Sequence, residues 1–360
     1  PGHTWVPPEL VVCQRGFDGI VGTDYTAIAE MIEHGMGDLQ DVSALALKAG
    51  TDMDMVANGF VGTLAKSLEE GKVTMAEIDE AVRRILEAKY RIGLFENPYK
   101  YADPSRKNEI YTPEKRAEAR RIAAKTFVLL KNEGDILPIQ KKGTIAVIGP
   151  MGNTRANMPG TWSVAADLNN YKSVYEGIRD AVGDKAKVVY AKGSNLVADP
   201  RLEADVTMFG REMRDSRSEE ELLAEAMEVA AGADVIIAAM GESSEFSGES
   251  SSRSDLRLPD VQKRLMEKLL ATGKPVVMLN FSGRPTVMTW ESEHVPAILN
   301  VWFGGSEAAD AIADVVFGDV NPSGRLSATM PRNEGQLPIY YNHFNTGRPL
   351  DNDADKLGKF

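Results

Sequence analysis

"ADVIIAAMGESSEFSGESSSRSDLRLP", residues 233–259, contains an unbroken apolar run from Val235 and continues directly into a long polar loop. An unbroken Val, Ile and Ala run, without alternating polar residues, is typical of a parallel strand covered on both faces. The loop is rich in Gly and Ser and carries three glutamates, Glu242, Glu245 and Glu249. Because open parallel sheets bind ligands beyond the carboxyl ends of their strands, this loop is a candidate functional site.

Apolar runs of the same kind recur on both sides of this stretch. They lie at 144–150, 186–193, 274–283 and 297–305. Helical periodicity separates them, most clearly over 219–232 and 259–273, and a further helix is predicted over 113–133 with Pro113 in its first turn. This alternation predicts an α/β domain, an α/β sandwich with a mainly parallel sheet.

The first hundred residues show a second strand and helix pattern. "GFDGIVGTDYTAI", residues 16–28, contains a short apolar strand that ends at Asp24, and a helix is predicted directly after it. A strand-like segment follows at 51–56, and further helices are predicted over 38–50, 63–72 and 74–95. The pattern is enough for about the last quarter of an eight-stranded barrel, so we expect the C-terminal part of a TIM-type (β/α)8 barrel.

The predicted organisation therefore has four parts. Residues 1–95 form a remnant of the (β/α)8 barrel domain, and residues 96–142 form a linker and connecting helix. Residues 143–345 form the α/β sandwich domain, and residues 346–360 form a polar tail. The opening "PGHTWVPPELVV" has neither a starting Met nor a basic segment typical of a signal peptide, which indicates part of a longer protein.

Composition excludes several functional classes. The 360 residues are 43% hydrophobic and 26% charged, which is typical of folded globular domains. A formal net charge of −12 argues against nucleic acid or an anionic membrane surface as a partner. No apolar run approaches the ~20 residues of a membrane span. The single cysteine, Cys13, excludes an internal disulfide, and the scattered histidines show no metal-binding spacing, so neither a metal nor a cofactor is expected.

Asp24 has two interpretations at this point. Burying a carboxylate at the end of an apolar strand costs free energy, so a carboxylate at this position is expected to have a structural or a catalytic role. It either caps the helix that follows, since Asp is a favoured N-cap residue, or it is a working carboxylate at the carboxyl end of a barrel strand.

Four segments, in order along the chain, resemble glycoside hydrolase family 3, and most closely its β-glucosidases. They are "GFDGIVGTDYTAI" at 16–28, "ALKAGTDMDM" at 46–55, "GESSEFSGESSSRSDLRLPDVQ" at 241–262 and "FGGSEAADAIADVVFGDVNPSGRLSATMP" at 303–331. The resemblance implies a barrel domain with a nucleophilic Asp and a second domain with an acid/base Glu. It also implies that most of the barrel lies outside this chain.

The resemblance assigns the catalytic roles residue by residue. The nucleophile motif of the family is matched by Thr23-Asp24-Tyr25, which makes Asp24 the nucleophile, and its Ser-Gly-Glu motif by Ser247-Gly248-Glu249, which makes Glu249 the acid/base. Glu245 remains a rival acid because sequence does not fix positions within a loop. Hydrolysis of a glycoside requires such a pair, ~5–5.5 Å apart in retaining enzymes, so the two domains would have to meet.

Further candidates for substrate binding are Tyr25, Trp162, Glu242 and Arg253. Tyr25 either stacks on a sugar face or is a core residue of the barrel rim, and Trp162 either lines the site or anchors a loop. Glu242 directly follows the strand and binds backbone groups or sugar hydroxyls. Arg253 either pairs with Glu249 or another acid of the loop, which would tune the pKa of that acid, or forms a structural salt bridge.

The sequence thus predicts a retaining, exo-acting β-glycosidase that removes terminal β-linked glucose from oligosaccharides or glucosides. The alternatives are a relative acting on xylosides or N-acetylglucosaminides and a non-catalytic α/β binding or assembly module. The expected partners are the oligosaccharide or β-glucoside substrate and either a second copy of the chain or the remaining barrel segment. We expect a periplasmic or secreted parent protein.

Overall fold

The computed structural model describes Gly2 and Phe344 together with residues 14–163, 165–205, 214–249 and 251–342. Cys13 and the predicted tail at 346–360 lie outside the described residues. The chain divides into two compact units, Pro1–Glu109 and Ile110–Phe360. This division places residues 110–142, which the sequence assigns to the connecting region, with the second unit.

The first unit is mainly helical in its described residues. Its α-helices are α1 Ala27–Glu30, α2 Leu39–Lys48, α3 Gly59–Glu69 and α4 Met75–Arg91, with a 3₁₀ helix at Pro104–Glu109. Thr74 and Glu77 form the predicted capping box of α4. Helix α3 begins earlier than its apolar pattern predicts, because the Asp54 carboxylate accepts the N–H groups of Gly59 (2.7 Å) and Phe60 (3.2 Å) at its first turn.

Two extended segments of the first unit pair in parallel. Gly22 forms a bridge with Met53, and the Thr23 N–H donates to the Met53 carbonyl over 3.0 Å. The Asp52 N–H donates to the Val21 carbonyl over 2.8 Å. The predicted strand before Asp24 and the strand-like segment at 51–56 are therefore neighbours, and each is followed by helix, as in a (β/α) barrel.

The second unit contains the sheet. Its strands are β1 Val128–Asn132, β2 Thr144–Ile148, β3 Lys187–Ala191, β4 Val235–Gly241, β5 Val276–Phe281 and β6 Ala297–Asn300. Its α-helices are α5 Pro113–Thr126, α6 Val174–Val182, α7 Pro200–Asp205, α8 Glu219–Ala231, α9 Asp260–Leu270, α10 Thr289–His294 and α11 Ala308–Val316. Short 3₁₀ helices lie at Glu133–Asp135, Leu168–Asn170, Gly183–Lys185, Ser244–Ser247 and Glu334–Gln336.

The six strands form one sheet in the order β1-β6-β5-β4-β2-β3. All neighbouring pairs are parallel except β1 with β6. Successive residues of a strand point to opposite faces, so Ile145 packs in one apolar layer and Ala146 in the other. The structure confirms the predicted mainly parallel sheet covered on both faces.

Strand β1 corrects one sequence prediction. The helix predicted over 113–133 ends at Thr126, and Phe127 adopts an extended backbone with ψ 134°. The apolar run that continues the helical pattern is instead a strand, Val128–Asn132, that pairs antiparallel with β6. It is favoured there because it covers the otherwise open edge of β6.

The topology creates a crevice between β2 and β4. Strand β2 leads to α6, whose apolar side chains pack in the layer on one face, whereas β4 leads to α9 in the layer on the other face. Loops leave the carboxyl ends of these two neighbouring strands in opposite directions, which defines a topological switch point. The polar loop after β4 therefore lies at the position where such sheets bind ligands.

Gly241 ends β4 with φ +130°, a backbone conformation that other residues rarely adopt. An added Cβ would lie 2.0 Å from the carbonyl oxygen of Phe281 on β5. We predict that Gly241→Ala lowers the free energy of unfolding of the second unit by ~2–6 kcal/mol, combining backbone strain and overpacking of ~1–3 kcal/mol each. Urea denaturation measures this change.

Gly273→Ala is the matched control, because Gly273 also has positive φ (+71°) but no atom lies within 4 Å of its added Cβ. Strain alone should cost that variant ~1–2 kcal/mol. Equal losses for the two variants would show that the close approach of β4 and β5 has no energetic effect.

Candidate functional site

The structure excludes the capping interpretation of Asp24. Thr26, with φ 57°, is the N-cap residue of α1 and makes no side-chain cap. Asp24 lies two residues earlier, is exposed, and accepts only the N–H of its neighbour Tyr25, at Oδ1 over 2.7 Å, among the hydrogen bonds of the described residues. One carboxylate oxygen at the end of this strand therefore remains available.

A buried carboxylate holds the extended segment that precedes Asp24. Asp52 is 4% exposed, and its Oδ2 accepts the N–H of Val21 over 2.9 Å. Its Oδ1 pairs with Arg84 of α4 over 3.2 Å. Burial raises the pKa of the Asp52 carboxyl, although the Val21 N–H and the Arg84 guanidinium oppose that shift. One side chain thus ties two strand segments and a helix together below Asp24.

Tyr25 points outward in this unit. It is 63% exposed, so it is not a core residue of the part of the first unit that the structure describes. An exposed ring directly after an available carboxylate suits contact with the apolar face of a ligand.

Glu242 is the anchor of the loop after β4. It is 2% exposed, and its Oε1 pairs with Arg253 while its Oε2 lies 3.5 Å from Nε of Arg284. Ser282 Oγ donates to the same Oε2 over 3.2 Å. Arg253 therefore pairs with Glu242, another acid of the loop, and its predicted role in substrate binding stays a prediction. The substrate-binding role assigned to Glu242 stays a prediction, and its oxygens already have protein partners.

The two rival acids differ in their surroundings. Glu245 lies in the 3₁₀ helix Ser244–Ser247, is partly buried, and has a buried Oε1 without a hydrogen-bond partner in the described residues. Burial raises the pKa of the Glu245 carboxyl above its usual 4.5. Glu249 lies just past that helix and is exposed.

Trp162 lies on the other side of the crevice. It is 74% exposed and follows Thr161, whose Oγ1 donates to the Ser244 carbonyl. Asn157 of the same segment accepts the Ser244 N–H at Oδ1 over 2.8 Å. The segment after β2 is thus fastened to the acidic loop, and the exposed indole projects from it.

Within the second unit, the structure brings together the segment carrying Trp162 and the loop carrying Glu242, Glu249 and Arg253. Asp24 and Tyr25 belong to the first unit. That the strand end at Asp24 faces the acidic loop stays a prediction.

Sequence reasoning missed Arg284 and Asn157, which complete the anchoring of this loop. Arg284 follows β5, so a charged residue directly beyond the carboxyl end of a strand was the available signal. Asn157 has no comparable signal, because only the fold brings its segment to the loop.

The described residues show neither a metal-binding cluster nor a membrane-spanning helix. They contain no group of three or more His, Cys, Asp or Glu side chains placed to hold a metal ion. No helix among them has the length and apolar character that a membrane crossing requires.

The pKa of Glu245 gives a pH prediction. A carboxyl whose pKa is raised by folding stabilises the protein below pH ~4.5, and this contribution is lost as pH rises through the folded-state pKa. Glu245→Gln has no such titration. We predict that its free energy of unfolding increases relative to the unmodified protein as pH rises from ~4 to ~7, as denaturation at several pH values would measure.

Glu220→Gln is the control for removing one negative charge, because Glu220 on α8 is exposed and its carboxylate lies 3.7 Å from Arg264. After subtraction of that control, a difference for Glu245→Gln that does not change with pH would contradict the prediction.

Comparisons with known proteins agree with this structure. Residues 127–358 match the Glycosyl hydrolase family 3 C-terminal domain, and residues 3–88 match the N-terminal domain of the same family. A periplasmic β-glucosidase of Salmonella typhimurium is 42% identical over 354 residues, covering 97% of this chain and 46% of the relative. A β-xylosidase of Formosa agariphila is 34% identical over 354 residues, covering 94% of this chain and 46% of that protein.

A solved β-glucosidase of Listeria innocua in complex with isofagomine has a TM-score of 0.85 and 32% identity, and the match covers 99% of this chain and 47% of that chain. The chain thus spans about half the length of these relatives. These matches confirm the predicted fold class, part of a (β/α)8 barrel followed by an α/β sandwich. The chain belongs to glycosyl hydrolase family 3.

Proposed function

We propose that the chain supplies the catalytic carboxylates of a retaining, exo-acting β-glucosidase that releases terminal β-linked glucose. The observation that carries this proposal is Asp24, a carboxylate two residues after the bridge between Gly22 and Met53, which neither caps the following helix nor forms an ion pair among the described residues. The β-glucosidases of Salmonella and Listeria support it.

Asp24 is the proposed nucleophile. Attack on the anomeric carbon requires an ionised carboxylate with an accessible oxygen, and the Tyr25 N–H occupies only Oδ1. The Asp52 contact with Val21 supports this role because it fixes the strand that carries the nucleophile.

Glu249 is the proposed acid/base. It protonates the departing oxygen in the first step and deprotonates water in the second. Its exposure in the loop after β4 is consistent with contact to a substrate, and the loop is anchored on either side of it by Glu242 and Arg253. Glu245 is the alternative acid, favoured by its raised pKa and its buried, unpartnered Oε1.

Tyr25 and Trp162 are proposed to contact the sugar or its leaving group, because both rings are mostly exposed beside candidate carboxylates. Glu242 and Arg253 are also proposed to contribute to substrate binding, and Arg253 does so by holding Glu242 in an ion pair.

The substrate is proposed to be an oligosaccharide or β-glucoside. The protein is proposed to act in the periplasm or outside the cell, because the Salmonella relative is named a periplasmic β-glucosidase. A relative acting on xylosides is the second candidate, favoured by the Formosa β-xylosidase. Rates with aryl β-glucoside and aryl β-xyloside separate the two, and absence of hydrolysis of either by the complete enzyme would favour a non-catalytic module.

Asp24→Ala should reduce turnover of the complete enzyme that carries this chain by more than ~10³-fold, because the covalent intermediate cannot form. Added azide should restore turnover with inverted stereochemistry, since it enters the vacated space and attacks the same face of the sugar. Product analysis by NMR measures the anomer formed.

Asp18→Ala is the matched control. Asp18 lies in the same segment, pairs with Arg91 over 3.1 Å, and is 78% exposed in its side chain, so turnover should change little. Retained activity in Asp24→Ala would remove Asp24 from the nucleophile role.

Glu249→Ala should lower the rate of substrates with poor leaving groups by ~10²–10⁴-fold, because these groups must be protonated as they depart. With an activated aryl glucoside, the first step, which releases the phenol, should keep most of its rate. Because hydrolysis of the intermediate is then slow, the phenol should appear in a burst. Azide should then give product of retained stereochemistry. Rates across leaving groups of different acidity measure this behaviour.

Glu245→Ala is tested in the same way. In this variant the rate should depend on leaving-group acidity as it does in the unmodified enzyme. If Glu245→Ala showed the burst and azide pattern while Glu249→Ala did not, Glu245 would be the acid/base.

A further inference from the structure

A groove of about 590 Å³ opens beyond the carboxyl ends of β4 and β5 in the second unit. Two arginines line its base, Arg253 and Arg284, whose side chains are only 19% and 20% exposed. Its walls include Leu337 and Pro338, which are apolar.

Two tyrosines complete the wall of this groove. Tyr340 is 61% exposed and Tyr341 fully exposed, so their rings are accessible to a ligand. An aromatic and apolar wall beside a charged base suits a ligand with an aromatic ring and one charged group.

The charge at the base is positive. The residues that line the groove include two arginines and no acidic residue. Both guanidinium groups share one carboxylate, that of the buried Glu242, so one positive charge is not neutralised within this cluster.

The two guanidinium groups also retain donors. Arg253 donates to Glu242 through Nη1, whereas the closest atom of Arg284 to Glu242 is Nε, which is buried and has no hydrogen-bond partner among the described residues. Their other nitrogens have no hydrogen-bond partner within the described residues. Guanidinium groups bind carboxylates through paired N–H donors, and such charge-assisted bonds are the stronger ones.

The backbone of Arg253, which lines the groove, lies within ~13–14 Å of that of the proposed acid/base, because Arg253 follows Glu249 by four residues and an extended chain spans no more than that. Because the acid/base protonates the leaving-group oxygen, the part of a substrate nearest Glu249 beyond the sugar is its leaving group.

We propose that this groove binds the leaving group of the substrate, and that it selects aromatic leaving groups that carry a carboxylate. The carboxylate pairs with Arg284 and Arg253, and the ring contacts Tyr340. The leaving-group part of this proposal rests on the proposed function, whereas the affinity of the groove for an aromatic carboxylate does not.

Binding to the full chain tests the groove without catalysis. The probes are 3-(4-hydroxyphenyl)propanoate and its amide, which have the same shape and differ in charge, with affinities measured by NMR titration. The acid should bind at least ~10-fold more tightly than the amide, as expected for hydrogen bonds between charged partners. Equal affinities would overturn the proposal.

Three variants locate the binding. Arg284→Gln should abolish the preference for the acid, whereas Arg257→Gln should keep it, because Arg257 pairs with Asp255 and does not line the groove. Tyr340→Ala changes an exposed residue, tests the groove even if Arg284→Gln fails to fold, and should weaken both probes several-fold. Unchanged binding in Tyr340→Ala, or a preference that survives in folded Arg284→Gln, would overturn the proposal.

Hydrolysis by the complete enzyme tests the leaving-group role. The substrates are the 4-(2-carboxyethyl)phenyl and 4-(2-carbamoylethyl)phenyl β-glucosides, in which two methylenes insulate the reacting oxygen from the charge. We expect a kcat/KM at least ~10-fold higher for the acid, reduced to equality by Arg284→Gln. If the enzyme hydrolysed neither substrate, the proposed function would be contradicted. The binding test would still decide whether the groove binds an aromatic carboxylate. Equal kcat/KM values would contradict the leaving-group role alone.

Discussion

The burial of Glu242 is the constraint on which the site in the second unit depends. A carboxylate that is 2% exposed requires compensation, and here two arginines and a serine hydroxyl provide it. Arg253 comes from the far part of the loop after β4, and Arg284 from the chain just after β5. The ion cluster therefore links the start of the loop to its far part, and Glu245 and Glu249 lie between the two linked residues. Removing one partner of such a buried pair typically costs ~3–5 kcal/mol.

The sheet places this cluster where a ligand can reach it. Gly241 allows the chain to leave β4 closely against β5, so that the Glu242 N–H bonds to the Phe281 carbonyl over 2.8 Å. The side chain of Gln262, which is fully buried, bonds to both the N–H and the carbonyl of Gly241, over 2.9 and 2.8 Å, and ends the strand without unpaired groups. Fixed strand ends at the switch point thus hold a polar loop in a defined position.

Much of this arrangement could be predicted from sequence because it depends on local patterns. The apolar runs of β2 to β6 and the capping box of α4 are visible in neighbouring residues. Strand β1 was missed because the apolar residues after Thr126 continue a helical pattern, and only pairing with β6 makes them a strand. The contact between Glu242 and Arg284 joins residues 42 positions apart, so no pattern among neighbouring residues predicts it. Likewise, the N-cap position of α1 belongs to Thr26 and not to Asp24, and the Thr26 N–H donates to the Met55 carbonyl over 3.0 Å, a contact that depends on tertiary structure.

Covalent labelling tests the central claim, that Asp24 is the nucleophile, most directly. A 2-deoxy-2-fluoroglucoside with a good leaving group slows hydrolysis of the glycosyl intermediate more than its formation, so the labelled enzyme accumulates. Mass spectrometry of proteolytic peptides from the complete enzyme then locates the sugar. The account predicts one fluoroglucosyl group per chain, on Asp24 within residues 16–28. A label on another carboxylate, such as Asp52 or Asp54, or turnover without any labelled intermediate, would contradict it.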